Sequence, residues 1–258
     1  MLLKQLKFPI VQDLKISLIT VCYNAEDTIE RCITSVIGQD YKNIEYIIID
    51  GGSNDNTVNI INKFKNHISF FSSGPDHGIY DAMNKGIKTA SGNVIGMLNA
   101  DDYFAGNMVL SDVATAFGQN NVDIVYGDLD FVNNEGKVVR KWRSGNYVHG
   151  IFNWGWMPPH PTFYCKKSVF DRFGVYRLDY GTAGDYELML RFMHLNKVNA
   201  YYNKKLMIKM ETGGASNGSF SKRFKVLLFD FKAMRNNKIF IPLITLMIKP
   251  VRKVGQFL

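Results

Sequence analysis

Three short apolar runs, each followed directly by a polar cluster, constrain the fold of this chain more than any other feature. They cover residues 15–21, 44–49 and 94–98, and they are rich in β-branched and aliphatic side chains without alternation. Continuous apolar runs of this length are typical of strands that are covered on both faces of a sheet. Because helical patterns separate them, the order predicts an α/β chain with a central, mostly parallel sheet.

Helical spacing of apolar residues fills the intervals between these runs. Ile29, Ile33 and Val36 follow Asn24, which we expect to cap this helix. Similar spacing predicts helices near residues 58–64, 79–90 and 108–117. The later pattern is mixed, with a short strand over residues 68–71, another over 123–126, a turn at 133–136, and helical or strand-to-helix segments over 163–173 and 186–195.

Composition excludes several classes of protein. With 258 residues, 46% apolar and 21% charged, the chain is too apolar for a disordered protein and too charged for a multispan membrane protein. Three cysteines without metal-ligand spacing indicate buried thiols in a reducing compartment, which favours the cytoplasm. The longest apolar run, over residues 239–248, is interrupted by Pro242 and is shorter than the roughly 20 residues of a spanning helix.

Acidic residues stand at the ends of three apolar or helical segments. They are Asp50, the pair Asp101 and Asp102, and Asp185. Each alone fits a turn residue or a helix cap, because aspartate is favoured at such positions. In a doubly wound sheet, however, ligands bind at the carboxyl ends of the strands, so the joint placement favours a binding site.

Two long strings carry a resemblance to a known family. VCYNAEDTIERCITSVIGQDYKNIEYIIIDGGSNDNT and GIYDAMNKGIKTASGNVIGMLNADDYF resemble the nucleotide-binding half of the family 2 glycosyltransferases, of the bacterial surface-polysaccharide type. The resemblance is dense over residues 15–104 and looser to about residue 210. It implies the GT-A fold, a Rossmann-like fold that binds nucleotide-sugars.

The resemblance also implies a division of the chain. Residues 1–14 are expected to be an N-terminal extension, and residues 15–212 the glycosyltransferase domain. Within it, residues 15–104 form the nucleotide-binding half and residues 105–212 the acceptor half. Residues 213–258 are expected to form a basic, amphipathic, helical tail.

Donor-binding residues follow from the same resemblance. Asp50 matches the position that accepts a hydrogen bond from uracil, which implies a UDP-sugar donor. The other positions that match donor contacts are Thr20, Val21, Tyr23 and Asn24 in the first loop, Asp76, Asp81 and Lys85 before and within a helix, and Asn99, Ala100 and Asp102 in the acidic motif. For Lys85, an ordinary place on a helix surface stays open.

A divalent cation is implied by the acidic motif. Asp101 is the first expected ligand, and Asp102 is either the second ligand or a partner of the ribose; their hard oxygens suit Mn²⁺ or Mg²⁺. Such an ion neutralises the charge that develops on a nucleoside diphosphate leaving group. The family motif opens with an acid, where this chain has Asn99.

Asp185 matches the position of the catalytic base, and many relatives have a second acid where this chain has Gly184. A single carboxylate that takes the proton of an acceptor hydroxyl implies one displacement and therefore inversion. His160, Trp154 and Trp156 are candidates for the donor or acceptor site. Each of the three could equally be a packed structural residue.

The formal charge of +8 is concentrated near the carboxyl end. Over residues 220–237, apolar side chains recur at helical spacing among lysines and arginines, which predicts a basic amphipathic helix on an anionic membrane surface. A helix that packs on the domain is the alternative, and residues 239–248 could enter the membrane interface or support a homo-oligomer. Nucleic acid is disfavoured, because the expected sites are acidic.

Together these features predict an inverting, non-processive, metal-dependent glycosyltransferase. It would transfer one sugar, of the hexosyl type, to a glycan or to an acceptor linked to polyprenyl diphosphate, as in assembly of capsule or O-antigen, at the inner face of the membrane. The signature Gln-x-x-Arg-Trp of processive synthases does not follow Asp185. The alternative is a non-catalytic protein of the same fold that binds a nucleotide-sugar or a membrane.

Overall fold

The computed structural model of the protein describes residues 14–212 and 220–256. The predicted N-terminal extension, apart from Leu14, lies outside the described residues, as do residues 213–219 of the predicted tail. The strands are β1 Ile16–Cys22, β2 Ile44–Asp50, β3 Phe70–Ser73, β4 Val94–Met97, β5 Asp102–Phe104, β6 Ile124–Val132, β7 Val138–Trp142, β8 Tyr164–Lys166 and β9 Ala200–Glu211. The helices are α1 Ile29–Ile37, α2 Thr57–Lys63, α3 Ile79–Thr89, α4 Val109–Gln119, α5 Lys167–Phe173, α6 Gly184–Met189, α7 Phe220–Asn236 and α8 Pro242–Val254.

The strands of the described residues form one mixed sheet. Its order is β3-β2-β1-β4-β8-β6-β9-β5, and β7 pairs with β6. Strands β1 to β4 are parallel, which confirms the α/β prediction in the nucleotide-binding half. The second half is mixed, because β8 runs antiparallel to both β4 and β6, while β6 and β9 are parallel.

The two faces of the sheet support separate apolar cores. Along β1, Ile19 and Val21 face the core that contains α3, whereas Ile16 and Leu18 face the core that contains α1. Such alternation follows from the two-residue period of a strand. Since both sets are buried, β1 has no polar face, which explains its continuous apolar sequence.

This arrangement places polar loops together. Because β1, β2 and β4 are parallel neighbours, their carboxyl ends lie at the same edge of the sheet. The loops that follow them contain Asn24, Gly51 and Asp101. The fold therefore brings three of the predicted clusters to one edge.

One local prediction was wrong, and one strand was missed. Asn24 does not cap α1, which begins five residues later at Ile29; it adopts a left-handed φ of 47°. Its side-chain oxygen accepts a hydrogen bond from the backbone N–H of Asn54, so it joins the loops after β1 and β2. The 12-residue strand β9 had no counterpart among the sequence predictions.

The two C-terminal helices pack on the domain through part of their surface. In α7, Ala233 and Met234 are fully buried in the core that also contains α3. In α8, the partly buried Lys249 pairs with Asp230 of α7 at 2.7 Å. The remaining surface of these helices exposes apolar side chains, among them Phe224 and Leu228 of α7 and Met247 of α8.

Candidate active site

Asp50 organises the loop that follows β2. Its side chain is buried and accepts hydrogen bonds from the backbone N–H groups of Gly52 and Ser53 and from the hydroxyls of Ser53 and Ser73. Burial alone would raise the pKa of Asp50, but these hydrogen bonds outweigh it and hold the pKa below its usual value. The uracil base of a bound nucleotide could reach this carboxylate only by displacing some of these hydrogen-bond donors.

A second carboxylate lies above the same loop. The Oδ2 atom of Asp76 would be 2.7 Å from a Cβ atom placed on Gly51, and the ring of Tyr23 would be 3.5 Å from it. Only a glycine at position 51 leaves this space open. The other oxygen of Asp76 accepts a hydrogen bond of 2.7 Å from the backbone N–H of Gly78, which holds the carboxylate in place.

The acidic motif after β4 presents one carboxylate outward and one inward. Asp101 is partly exposed, whereas Asp102 is fully buried. Neither oxygen of Asp102 has a hydrogen-bond partner within the described residues. Burial and the neighbouring charge of Asp101 raise the pKa of Asp102 well above its usual value. Of the two predicted metal ligands, Asp101 is therefore the more accessible.

His160 contacts the first residue of this motif. Its Nε2 atom lies 3.3 Å from the Nδ2 atom of Asn99, although 61 residues separate the two along the chain. The prolines on both sides of His160 restrict its loop, where residues His160–Thr162 form a short 3₁₀ turn. The Oδ1 atom of Asn99 is buried without a hydrogen-bond partner in the described part of the chain, so an acceptor beside Asp101 is unfilled.

Asp185 is held by a tyrosine from the donor-binding half. The hydroxyl of Tyr80, in α3, donates to the Oδ2 atom of Asp185 at 3.1 Å and accepts from the backbone N–H of Asp185 at 3.3 Å. Burial, and then the charge of Asp185, raise the pKa of Tyr80 well above its usual value, so this tyrosine keeps its proton. The Oδ1 atom of Asp185 has no hydrogen-bond partner among the described residues.

The same tyrosine explains the glycine before Asp185. A Cβ atom on Gly184 would lie 2.6 Å from the ring of Tyr80, and this ring stacks on Tyr176 at a centroid distance of 5.2 Å. Gly184 has ordinary helical backbone angles, so the restriction is steric. An acidic side chain at this position would need the space of the Tyr80 ring.

The other predicted site residues fall into a buried group and an exposed group. Thr20, Val21, Ala100 and Trp156 have buried side chains, and the Trp156 indole N–H donates to the backbone carbonyl of Ser144. Trp156 is therefore a core residue in this structure and not a sugar platform. Tyr23 and Trp154 are exposed.

Asp81 and Lys85 form an ion pair within α3. Their side chains pair at 3.2 Å, and Lys85 also donates to the carbonyl of Pro75. Asp81 accepts from the backbone N–H of His77 as well. Both residues therefore brace the loop that contains Asp76.

Sequence reasoning missed Tyr80 and Tyr176. Tyr80 stands between Ile79 and Asp81 in one of the strings that carry the family resemblance, so its position could have drawn attention. Its partner could not be predicted, because 105 residues separate Tyr80 from Asp185. No group of three or more His, Cys, Asp or Glu side chains in the described residues is arranged to hold a metal ion by itself.

The model of glycosyl transferase family 2 matches residues 17–178, more than half of the chain. The chain belongs to this family. An uncharacterized glycosyltransferase of Mycobacterium tuberculosis is 34% identical over 188 residues, which cover 68% of each chain. The Escherichia coli enzyme WfaP, named as a UDP-Glc:alpha-D-GlcNAc-diphosphoundecaprenol beta-1,3-glucosyltransferase, is 28% identical over 229 residues, which cover 80% of this chain and 82% of WfaP.

Solved structures confirm the GT-A fold of this family 2 member. S. aureus TarS 1-349 in complex with UDP-GlcNAc superposes with a TM-score of 0.70 at 18% identity, over 92% of this chain and 70% of that one. The mannosyltransferase PcManGT from Pyrobaculum calidifontis, in complex with GDP-Man and Mn²⁺, gives a TM-score of 0.65 at 14% identity. The match covers 92% of this chain and 73% of that one. Among the described residues of this glycosyltransferase, no helix has the length and apolar character to cross a membrane.

The contact between Gly184 and Tyr80 predicts that Gly184→Ala destabilises the protein. The added methyl group must displace a buried ring, and overpacking of this kind costs about 1–3 kcal/mol. Urea unfolding of both variants measures the effect, with Gly106→Ala as the matched control, because a Cβ atom at Gly106 meets nothing within 4 Å. Equal stability of the two variants would contradict the steric role of Tyr80.

Proposed function

We propose that this protein is an inverting, non-processive glycosyltransferase that transfers one sugar from a UDP-sugar to a glycan or to an acceptor linked to polyprenyl diphosphate. The observation that carries the proposal is the single carboxylate of Asp185, anchored through one oxygen by Tyr80 and with the other oxygen unfilled. WfaP, whose name gives a UDP-sugar donor and a diphosphoundecaprenol acceptor, supports the donor and the acceptor class.

Asp185 acts as the general base. Its carboxylate accepts the proton of the acceptor hydroxyl while the hydroxyl oxygen attacks the anomeric carbon, and UDP leaves from the opposite face. Gly184 supplies no second carboxylate that could act as a nucleophile. One displacement therefore transfers the sugar with inversion at the anomeric carbon.

Asp76 and Asp50 have different roles at the uracil ring. Asp50 holds the loop through its buried hydrogen bonds, and Asp76 presents the carboxylate that accepts the uracil N–H above Gly51. Tyr23, which is exposed beside this position, offers a flat apolar surface to the base. Asp76 thus takes the role that the family resemblance gave to Asp50.

The acidic motif fits a cation that is shared with the donor. Magnesium is commonly bound through one or two carboxylates together with substrate phosphates, so Asp101 can suffice as the protein carboxylate. The unfilled Oδ1 atom of Asn99 and the imidazole of His160, which contacts Asn99, could supply further metal ligands. Bound Mn²⁺ or Mg²⁺ would neutralise the charge on the diphosphate of the leaving group.

The C-terminal helices supply a peripheral contact with the inner face of the membrane. Leu243, Met247 and Val251 are 65%, 75% and 66% exposed and recur every four residues on one face of α8. Basic residues flank this apolar face, as interfacial helices require. Sedimentation with anionic vesicles tests the contact, and a folded protein that stays in the supernatant at low salt contradicts it.

We expect Asp185→Asn to lower turnover by about a hundredfold or more, because the amide keeps the shape of the carboxylate but cannot take a proton. Affinity for UDP should stay nearly unchanged, since the amide does not contact the nucleotide. Release of UDP from a UDP-sugar in the presence of acceptor measures turnover. Asp171→Asn, on the exposed surface of α5, is the control, and equal activity of the two variants would assign the base role to another residue.

We expect Asp101→Ala to abolish the metal dependence of UDP binding, because the diphosphate then loses the protein carboxylate that holds its counterion. Calorimetry with UDP, with and without Mn²⁺, measures this dependence. Glu135→Ala removes an equal charge from the exposed turn between β6 and β7 and should bind like the unmodified protein. An unchanged response to Mn²⁺ in Asp101→Ala would remove Asp101 from the metal site.

A further inference from the structure

A basic cleft lies where α8 meets strand β7. Its volume is about 330 Å³, which is within the range of small-molecule sites and leaves room for more than one phosphate group. Five of its lining side chains are cationic, namely Lys141, Arg143, Lys249, Arg252 and Lys253, and none is acidic. None of these residues has a part in the donor site described above.

The charge of the cleft is only partly balanced. Lys249 pairs with Asp230, and Arg143 pairs with Asp130 at 2.7 Å. Lys141, Arg252 and Lys253 have no ion pair with any residue in the ranges 14–212 and 220–256. Burial lowers the pKa of Lys249, whose ammonium group has therefore lost part of its hydration. A bound anion would offset that loss.

The walls of the cleft are fixed in position. The backbone N–H of Lys141 donates to the carbonyl of Gln256 at 2.8 Å, and the side chain of Arg140 hydrogen-bonds to Gln256. These bonds attach the end of α8 to β7. The buried Trp156 completes the lining from the domain side, and its indole N–H is anchored on Ser144. The cations are therefore gathered by the fold and do not depend on a bound ligand.

The neighbourhood of the cleft indicates the source of the anion. Arg252 and Lys253 follow Val251 directly, and Val251 and Val254 are 66% and 62% exposed on the apolar side of the same helix. A water-soluble phosphate would gain nothing from these apolar side chains. In a lipid, the phosphate group would pair with the cations of the cleft, and the attached acyl or isoprenoid chain would contact the apolar side of α8.

We propose that the cleft between α8 and β7 binds a phosphate group carried by a lipid. Its source is either the headgroup of an anionic phospholipid or the diphosphate of a lipid-linked acceptor. The identity of the lipid rests on the proposed membrane contact, whereas the cleft itself does not depend on glycosyl transfer. It would fix how the enzyme sits on the membrane, in addition to attracting it there.

The test compares the full-length protein with the triple variant Lys141→Gln, Arg252→Gln and Lys253→Gln. Sedimentation is measured with vesicles of phosphatidylcholine alone, with added phosphatidylglycerol, and with added farnesyl diphosphate. Each basic residue near an anionic leaflet contributes about 1 kcal/mol, so the triple variant should bind about a hundredfold more weakly. The matched control is Lys63→Gln, Lys65→Gln and Lys88→Gln, which removes the same charge from exposed positions of the nucleotide-binding half.

Selective loss in the cleft variant supports the proposal, and the vesicle type identifies the lipid. If the cleft variant loses binding only to vesicles with phosphatidylglycerol, the cleft binds a phospholipid headgroup. If it loses binding only to vesicles with farnesyl diphosphate, the cleft binds an isoprenoid diphosphate. Loss of binding to both kinds of vesicle assigns a general site for lipid phosphates. Equal weakening in the cleft and control variants would overturn the proposal, because net charge alone would then explain binding. Absence of vesicle binding in all proteins would overturn it too.

Two further measurements separate this proposal from the others. Thermal unfolding of each variant confirms that it is folded. UDP affinity reports on the donor site and should be the same in the cleft variant and the control. If vesicle binding survives in the cleft variant while Met247→Ser and Val251→Ser abolish it, the membrane contact stands and the phosphate site is wrong.

Discussion

The hydrogen bond between Tyr80 and Asp185 joins the two halves of the domain at the point where the chemistry is proposed. Tyr80 belongs to α3, beside the donor loops, whereas Asp185 begins the helix of the acceptor half. The bond fixes one carboxylate oxygen and leaves the other unfilled. Gly184 is part of the same arrangement, since any side chain there would meet the Tyr80 ring. The position of the proposed base therefore depends on one buried contact.

Much of the nucleotide-binding half could be predicted from the sequence, because its strands are buried on both faces and read as unbroken apolar runs. Strand β9 could not, since Asn203, Lys204 and Lys205 interrupt its pattern. The structure shows why: three residues lie between Tyr202 and Leu206 in β9, whereas one lies between their partners Tyr126 and Asp128 in β6, so the pairing is irregular there. A local irregularity removes the two-residue period on which strand prediction depends.

The candidate site was predictable in its location but not in the direction of its side chains. Sequence placed Asp50, Asp101 and Asp102 at strand ends, which is where they lie. It could not show that Asp50 and Asp102 face inward while Asp76 and Asp101 are partly exposed. It also could not relate Gly51 to Asp76 or Gly184 to Tyr80, because each glycine is explained by a side chain that is distant along the chain. Space left by a missing side chain is visible only in three dimensions.

Inversion by a single base is tested most directly by the anomeric configuration of the first product. The protein is incubated with an α-linked UDP-sugar, Mn²⁺ and a polyprenyl-diphosphate-linked acceptor, and the anomeric configuration of the new glycosidic bond is determined by proton NMR. Direct displacement with Asp185 as the only base predicts a β-linked product. An α-linked product would contradict it, since retention requires either a second displacement or attack from the side of the leaving group.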